Sequence, residues 1–384
     1  MRRIPIRPRP DWREVAETHG FDFHTIDGEL YWDESAYYAL TLAQVETDLE
    51  APTEELHQMA LALAAEVLAS DRLLEQLSIP AWSWDWMRET WRGGRDHLYG
   101  RLDFAYSGEG PAKLYELNYD TPTSLYESAF FQWLWLEHQV AGGALPRGAD
   151  QFNSIQEKLV ERFVELAPRL RQPLYFSALQ NLPEDQATVG YLRDCAEQAG
   201  LRHAIIAIEN IGISREGRFV DLGDEVIESL FKLYPIELML EESFGRDLPL
   251  SGVTLIEPPW KMILSNKGVL PLLWERHRGH PNLLAARIAE APEPAPGWVR
   301  KPFFSREGAN IAVAMPDGYR LTTAGPYGSG PAIEQAFHPL PAFDGQYPLV
   351  GSWVVGDHAA GIGIREDRNL VTQNSSRFIP HAIL

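Results

Sequence analysis

Residues 101–128 read RLDFAYSGEGPAKLYELNYDTPTSLYES, and apolar and polar side chains alternate in two segments of this stretch. Alternation with a period of two is typical of strands, because successive side chains of a strand point to opposite faces. The intervening segment 107–111, SGEGP, has the glycine and proline content of a turn. The pattern predicts an antiparallel hairpin.

The polar residues of this hairpin are expected to gather on one face. Residues two apart share a face, so Arg101 lies with Asp103, and Glu116 lies with Asn118 and Leu114. If the hairpin closes, Asp103 and Glu116 face each other. Two carboxylates and a carboxamide oxygen at such proximity suit a hard cation such as Mg²⁺. The alternative is a solvated polar face on which Arg101 pairs with Asp103.

Two lysines stand in unusually apolar surroundings. Lys267 lies in SNKGVLPLLW and Lys301 in VRKPFFSREGAN. A lysine on a strand that precedes a glycine-containing polar loop can reach a phosphate, while backbone N–H groups of the loop surround it. The alternative is a lysine whose apolar stem packs on the surface and whose charge stays in water.

Two weaker signals lie nearer the C-terminus. The segment AIEQAF, residues 332–337, predicts a short strand that could offer backbone groups to an adenine edge. Arg365 follows a strand with alternating glycines and could bind phosphate through two hydrogen bonds, although a surface ion pair is equally compatible with the pattern.

Composition narrows the classes of partner. The 384 residues carry a formal net charge of −20, which disfavours nucleic acid and anionic membrane surfaces and favours a cationic amine. A single cysteine, Cys195, excludes an internal disulfide. The basic start is not followed by an apolar run, so we expect a cytoplasmic protein without a signal peptide or membrane span. The oligomeric state stays open.

Hydrophobic periodicity predicts a mixed protein with both α/β and α+β parts. Spacing typical of helices predicts two long helices over 35–78, with Thr53 as the N-cap of the second, and a helix over 224–242 with a break at Pro235. The strand–helix–strand pattern over 172–208 predicts a parallel α/β unit. The pattern of the residues after 291 predicts antiparallel strands.

Several segments together resemble the glutathionylspermidine synthase-like family of ATP-grasp ligases. The similarity is greatest to its stand-alone bacterial members, described as acid–amine ligases, and it covers essentially the whole chain without an amidase domain. The segments are RLDFAY (101–106), KLYELNYDTPTSLYE (113–127), FKLYPIE (231–237), SNKGVLPLLW (265–274), KPFFSREGAN (301–310) and GIGIREDR (361–368).

The resemblance implies an ATP-grasp fold with a preceding α/β subdomain and a helical N-terminal part, forming effectively one synthetase unit. Residues 1–98 would be the helical part, residues 99–245 the metal-binding hairpin and the α/β substrate subdomain, and residues 246–384 the lid and the nucleotide-binding region.

The resemblance also implies roles for individual residues. Two Mg²⁺ ions would be bound by Asp103, Glu116 and Asn118. ATP would contact Arg101, Leu102, Asp103, Lys267, Lys301, Glu307, Gly308, Gln335 and Leu370. The arginines at the reacting groups would be Arg101 and Arg365. The acid substrate would contact Thr121 and Lys232.

The implied reaction joins a carboxylic acid, possibly peptide-like, to an amine, possibly a polyamine, through an acyl phosphate. Two alternatives stay open. The chain could be a glutathionylspermidine synthase itself, although segments 119–127 and 232–237 differ from the motifs of that enzyme. It could also be a degenerate ATP-binding protein that regulates a partner.

Overall fold

The hairpin expected over residues 99–119 forms in the computed structural model of the protein, which describes residues 1–26, 28–94, 96–328 and 330–384. The first strand of the hairpin pairs antiparallel with the second, and Asp103 lies directly opposite Glu116. The expectation that these two carboxylates face each other is therefore confirmed.

The strands, numbered in chain order, are β1 Arg2–Pro5, β2 Thr25–Ile26, β3 Glu29–Leu30, β4 Ala36–Leu40, β5 Tyr99–Ala105, β6 Lys113–Asn118, β7 Leu174–Ala178, β8 His203–Ala207, β9 Gly212–Ile213, β10 Phe219–Val220, β11 Ser229–Leu233, β12 Thr254–Ile256, β13 Ala286–Ile288, β14 Trp298–Pro302, β15 Ala312–Ala314, β16 Arg320–Thr322, β17 Ala332–Ala336, β18 Tyr347–Val355, β19 His358–Asp367, β20 Arg377–Ile379 and β21 His381–Ile383.

The α-helices are α1 Trp12–Thr18, α2 Leu42–Gln44, α3 Ala51–Leu68, α4 Asp71–Gln76, α5 Trp84–Arg92, α6 Gln132–Ala141, α7 Ile155–Leu166, α8 Pro183–Gln198, α9 Ile236–Glu241, α10 Met262–Ser265 and α11 Val269–Arg276. Two π-helical segments continue into helices: Val45–Glu50 joins α2 to α3, and Glu127–Phe131 leads into α6.

Three sheets position the chemistry-bearing residues. The central antiparallel sheet has the order β20-β19-β18-β5-β6, and a second antiparallel sheet has the order β13-β17-β14-β15-β16. The third sheet, β12-β11-β7-β8, is parallel and contains the predicted strand–helix–strand unit, with α8 between β7 and β8. The expectation of a mixed α/β protein is confirmed.

Packing fixes the register of the hairpin. Leu102, Phe104 and Leu117 are fully or almost fully buried in the core beneath the central sheet. Each such side chain contributes about 1.5–3 kcal/mol when it leaves water. A slip of one residue would move these side chains out and would place the carboxylates in the core, so the apolar face specifies the register.

A β-bulge separates Leu114 from the polar face. Asp103 pairs with Glu116 but Phe104 pairs with Leu114, so Tyr115 is the extra residue. Leu114 consequently lies in the core, and the expectation that it shares a face with Glu116 is wrong. A bulge re-aims the side chains beside it, and here it leaves both Tyr115 and Glu116 on the side of the cavity described below.

Two predicted helices are strands in part. Residues 36–40 form β4 between β1 and β21, and residues 229–233 form β11 between β7 and β12. All residues of both strands are buried. A strand covered on both faces reads as a continuous apolar run, which periodicity cannot distinguish from a buried helix.

The predicted N-cap Thr53 is wrong. Thr53 lies inside α3, and its hydroxyl is 2.7 Å from that of Ser352. The helical segment begins instead at Thr41, whose hydroxyl accepts from the N–H of Gln44, while the side chain of Gln44 accepts from the N–H of Thr41. This reciprocal pair is a capping box.

The sheets join distant parts of the chain. The central sheet contains strands from both 99–118 and 347–379, the parallel sheet extends from residue 174 to residue 256, and β1 and β4 form a sheet with β21. Strands as well as helices therefore occur within 1–98. The division of the chain at residues 98 and 245 stays a prediction. Among the described residues no helix combines the length and the apolar character needed to cross a membrane.

Candidate active site

The polar face of the hairpin forms a compact carboxylate cluster. Asp103 is 2% exposed. The side-chain nitrogen of Asn118 lies 2.9 Å from Oδ2 of Asp103 and 3.3 Å from Oε1 of Glu116, and it donates to both. Two carboxylates and a carboxamide from two neighbouring strands thus meet at one place, and carboxylate oxygens are ligands that suit a divalent cation.

Arg101 pairs with Asp103, as the alternative interpretation of the hairpin predicted. Its Nε and one terminal nitrogen lie 2.6 and 3.0 Å from the two oxygens of Asp103, and its other terminal nitrogen donates to the carbonyl of Thr123. Gly351, opposite Asp103 on β18, makes room for this arginine. A Cβ at residue 351 would lie 2.8 Å from Cδ of Arg101.

Lys267 lies beside the other carboxylate. Its Nζ is 3.2 Å from Oε2 of Glu116 and donates to the carbonyl of Ser305 at 2.7 Å. Because Ser305 follows β14, this hydrogen bond ties the start of the SREGAN loop, residues 305–310, to the carboxylate cluster. Lys267 is 6% exposed and does not snorkel into water.

Lys301 lies on β14, and Gln335 lies beside it on β17. Nζ of Lys301 donates to the carbonyl of Tyr115 at 3.0 Å and to Oε1 of Gln335 at 2.7 Å. Burial lowers the pKa of Lys301 to about 8, against the opposing effect of the Glu116 charge. Nε2 of Gln335 donates to the carbonyl of Leu114, so both side chains hold the second sheet against the bulge.

The two carboxylates have different electrostatic environments. Burial raises the pKa of Asp103 despite its ion pair with Arg101. Burial would also raise the pKa of Glu116, but the charges of Lys267 and Lys301 outweigh it and hold the pKa at about 2. Three cationic side chains therefore face two carboxylates, and the excess positive charge favours an anionic ligand.

A first cavity, of about 830 Å³ with its solvent-open mouth included, lies between the second antiparallel sheet and the carboxylate cluster. Apolar side chains line much of it, which suits a planar ring system. Of the residues assigned to the nucleotide, it is lined by Asp103, Lys267, Lys301, Glu307, Gly308, Gln335 and Leu370.

A second cavity, of about 820 Å³ with its solvent-open mouth included, adjoins the first on the other side of the cluster. It brings together the residues assigned to catalysis, to the metal and in part to the acid: Arg101, Asp103, Glu116, Asn118, Thr121 and Arg365. Asp103, Glu116, Glu307 and Gly308 line both cavities. The carboxylates therefore lie at the boundary between two chambers.

The SREGAN loop lines both chambers. Glu307 and Gly308 adopt positive φ values of 53° and 68°. A Cβ at Gly308 would lie 2.5 Å from the carbonyl oxygen of Thr372, so only glycine permits the loop to approach that segment so closely. The loop lies over the cluster in the present conformation.

Arg365 lies in the second cavity and is held in place by the backbone. It donates to the carbonyls of Gln373, Asn374 and Ser376. Its guanidinium carbon also lies 5.6 Å from the centre of the Tyr31 ring. These contacts fix the orientation of the guanidinium in the second cavity.

Two residues assigned by the resemblance do not line either cavity. Leu102 faces the core with no exposed surface, as expected for a residue that alternates with Arg101 and Asp103. Lys232 on β11 is also fully buried, and its Nζ donates to Asp120, whose other oxygen accepts from the N–H of Ile236. In this conformation neither side chain can reach a ligand in the two chambers.

Arg306 is a site residue that the sequence did not reveal. It donates to the hydroxyl of Thr121 and to Glu237, at 2.6 Å from Oε1, and it lines the second cavity. Its position within SREGAN could be read from the sequence, but its partners lie 185 and 69 residues away in the chain. Nothing in the local pattern indicates that pairing.

Further carboxyl groups near the second cavity were also missed. Glu127 is 2% exposed and bonded to Tyr31. Burial together with the charge of Glu184 raises the pKa of Asp185 to about 7. No role was predicted from the sequence for Glu127, Glu184 or Asp185. Their burial depends on tertiary packing.

The cluster fits a divalent cation. The carboxylate of Asp103 is buried and that of Glu116 is partly buried, and at present they pair with Arg101 and Lys267. An anionic ligand would attract these cationic side chains and leave the carboxylate oxygens for a metal ion. Hard oxygen donors beside a phosphate site are the environment that Mg²⁺ prefers.

Comparisons with known proteins find similarity over almost the whole length of the chain. A family model described as "Glutathionylspermidine synthase preATP-grasp" matches residues 3–384. A Haemophilus influenzae protein named "Putative acid--amine ligase" is 40% identical, and the alignment covers 99% of each chain.

More distant relatives are longer than this chain. Trypanothione synthetase of Crithidia fasciculata is 28% identical over 84% of this chain and 53% of its own length. The bifunctional glutathionylspermidine synthetase/amidase of Escherichia coli is 27% identical over 90% of this chain and 58% of its own length. The chain thus spans little more than half of these two proteins.

A solved structure shares the fold. The apo form of a glutathione synthetase-like effector from Globodera pallida superposes with a TM-score of 0.59 at 10% identity, covering 98% of both chains. At this identity the likeness concerns the fold alone.

Proposed function

The chain belongs to the glutathionylspermidine synthase preATP-grasp family, and we propose that it is an ATP- and Mg²⁺-dependent ligase that joins a carboxylic acid to an amine. The products would be an amide, ADP and phosphate. We further propose that the second antiparallel sheet and the central sheet together form an ATP-grasp unit, with the parallel sheet as the preceding α/β subdomain.

The observation that carries the proposal is the meeting of two chambers at Asp103 and Glu116. An apolar chamber with two lysines suits the base and the phosphates of ATP. A polar chamber with Arg101 and Arg365 suits the acid and the amine. The boundary is where a phosphoryl group would pass from one substrate to the other.

Charge explains the need for the cationic residues. ATP and a carboxylate repel each other, and Lys267, Lys301 and Arg101 would neutralise the charge that develops in phosphoryl transfer. Asp103, Glu116 and Asn118 would hold Mg²⁺, and a second ion at the same residues is part of the proposal. When bound, Mg²⁺ supplies Lewis-acid stabilisation of the phosphate oxygens.

The residues of the chain perform the remaining steps. Lys267 and Lys301 would exchange their present partners for phosphate oxygens, with Gln335 at the base. Arg101 and Arg365 would orient the acid against the terminal phosphate. The SREGAN loop would exclude water, so that the acyl phosphate reacts with an amine and is not hydrolysed.

The substrate class follows from relatives and from charge. Relatives named for glutathionylspermidine and trypanothione suggest a peptide-like acid and a polyamine. The net charge of −20 would favour the approach of a cationic amine. Thr121 would contact the acid, whereas Lys232 would reach it only if its ion pair with Asp120 opened.

The proposal is tested by a panel of acids and amines. Purified protein is incubated with Mg²⁺ and ATP, with glutathione, γ-glutamyl dipeptides and short peptides as acids, and with spermidine, putrescine and ammonia as amines. We expect ADP release that depends on both an acid and an amine, and a new amide by mass spectrometry. Absence of ATP binding in calorimetry with Mg²⁺ present would contradict the proposal.

A further inference from the structure

A chain of hydrogen bonds leads from the second cavity into the protein. Ser124 lines the cavity, and its Oγ lies 3.1 Å from the hydroxyl of Tyr31. That hydroxyl donates to Oε1 of Glu127 at 2.5 Å. Tyr31 and Glu127 are each 2% exposed and do not line the cavity themselves. The chain thus connects a cavity-lining hydroxyl with a buried carboxyl group.

The local backbone holds Ser124 in an unusual conformation. Its φ is +67°, a left-handed value that residues other than glycine seldom adopt. Its carbonyl accepts from the hydroxyl of Ser128 at 2.6 Å and from the N–H of that residue. The π-helical turn begins at Glu127, three residues later. Strained backbone and π-helical turns recur at functional sites.

The environment of Glu127 differs from that of the hairpin carboxylates. Burial raises the pKa of Glu127 to about 7, and the hydrogen bond from Tyr31 opposes this rise. The other charged groups that face it are Glu184, which raises its pKa, and Arg365, which lowers it. Glu116, in contrast, is held ionised by two lysines and is a poor proton acceptor.

We propose that Ser124, Tyr31 and Glu127 form a proton relay that takes a proton from the ammonium form of the amine, so that its nitrogen can attack the acyl phosphate. This inference rests on the proposed ligase function and adds the route of the proton. Glu127 and Tyr31 act through Ser124 and do not touch the amine.

The proton transfers balance along the relay. The ammonium nitrogen gives one proton to Oγ of Ser124, Ser124 gives its own to Tyr31, and Tyr31 gives its own to Glu127. The freed amine then forms the C–N bond and the C–O bond to phosphate breaks. Phosphate leaves with the electron pair of that bond and takes up the second proton that the nitrogen loses. Glu127 becomes neutral and returns the proton to solvent when the products leave.

The test uses two nucleophiles to separate formation of the acyl phosphate from its attack by the amine. Hydroxylamine is already unprotonated at neutral pH and traps an acyl phosphate as a hydroxamate without a base, whereas spermidine depends on proton removal. With ATP, Mg²⁺ and the most active acid of the panel, Glu127→Gln should keep its rate of hydroxamate formation and lose about 100-fold in amide formation with spermidine. The glutamine keeps the shape of Glu127 and an acceptor for Tyr31.

The wild-type pH profile gives an independent readout. The ratio of the spermidine rate to the hydroxylamine rate should fall as the pH drops through about 7, because protonated Glu127 cannot accept a proton. Glu127→Gln should remove this break. If Glu127→Gln fails to fold, Tyr31→Phe interrupts the same relay and should cause a similar loss with spermidine alone.

A matched control is available in the chain. Tyr38 donates to Glu366 at 2.7 Å, and both side chains are buried away from the two cavities. Tyr38→Phe should leave both rates and the pH profile unchanged. Equal losses with both nucleophiles in Glu127→Gln, or an unchanged rate with spermidine, would overturn the relay. Wild-type protein that forms no hydroxamate with any acid would instead overturn the ligase function on which the relay rests.

Discussion

Asp103 and Glu116 owe their proposed function to their positions in two strands. Alternation along β5 and β6 places them on the face opposite Leu102 and Leu117, and pairing brings them into register. This much could be predicted from residues 101–118 alone. The identity of the cations around them could not, because Lys267 and Lys301 arrive from strands and loops more than 140 residues away.

The first prediction concerns Glu116. Glu116→Gln should reduce Mg²⁺-dependent ATP turnover about 100-fold or more, because it removes a charged metal donor and leaves Lys267 without its partner. Glu334→Gln is the control, since Glu334 lies on β17 next to Gln335 but pairs with Arg287 outside both cavities. Turnover is measured as ADP release. A Glu116→Gln protein with wild-type turnover would exclude the metal role.

The second prediction concerns a buried ion pair that anchors β5. Lys261 pairs with Glu257, and Glu257 accepts from the N–H groups of Leu98 and Tyr99. Lys261→Met leaves a buried carboxylate without its partner and should lower the free energy of unfolding by about 3–5 kcal/mol in urea denaturation.

The control for that measurement is an exposed ion pair. Arg320 pairs with Glu293 at the surface, and Arg320→Met should cost less than about 1 kcal/mol. A Lys261→Met protein as stable as the wild type would show that Glu257 tolerates the loss of its partner.

At the scale of the elements, the conformation of the SREGAN loop depends on one glycine, Gly308. Gly308→Ala, our third prediction, should lower turnover several-fold, because the new Cβ would collide with the carbonyl of Thr372 and open the loop. Gly318→Ala is the matched control: Gly318 also has a positive φ, of 92°, but no described atom lies within 4 Å of its Cβ position. Equal effects of the two substitutions on turnover would mean that backbone strain, and not loop closure, is responsible.

The hairpin was the element most visible in the sequence, because polar residues mark one of its faces. β4 and β11 were mistaken for helices because both of their faces are covered. Arg306 illustrates the same limit for the site, since its partners Thr121 and Glu237 belong to other elements.

At the scale of the whole molecule, the charge of −20 should influence the amine. Our fourth prediction is that KM for spermidine rises several-fold between 0.02 and about 0.5 M salt, because salt screens the attraction. KM for uncharged hydroxylamine should change little over the same range. If the two KM values respond equally, the net charge has no part in attracting the amine.

The overall class of the molecule was evident from its sequence, but the way its parts combine was not. The central sheet contains strands from residues 99–118 and 347–379. The boundary between the chambers therefore exists only after these two distant segments have paired. Linear patterns contain no signal for such pairing, and the resemblance to a family supplied candidate site residues that patterns could not.

The central claim is that a carboxylate receives the terminal phosphate of ATP before an amine displaces it. An acid labelled with ¹⁸O in its carboxylate tests this directly when it is incubated with Mg²⁺, ATP and the amine. The account predicts that one ¹⁸O atom appears in inorganic phosphate for each amide formed, as measured by mass spectrometry. Unlabelled phosphate alongside amide formation, or release of AMP and pyrophosphate, would contradict it.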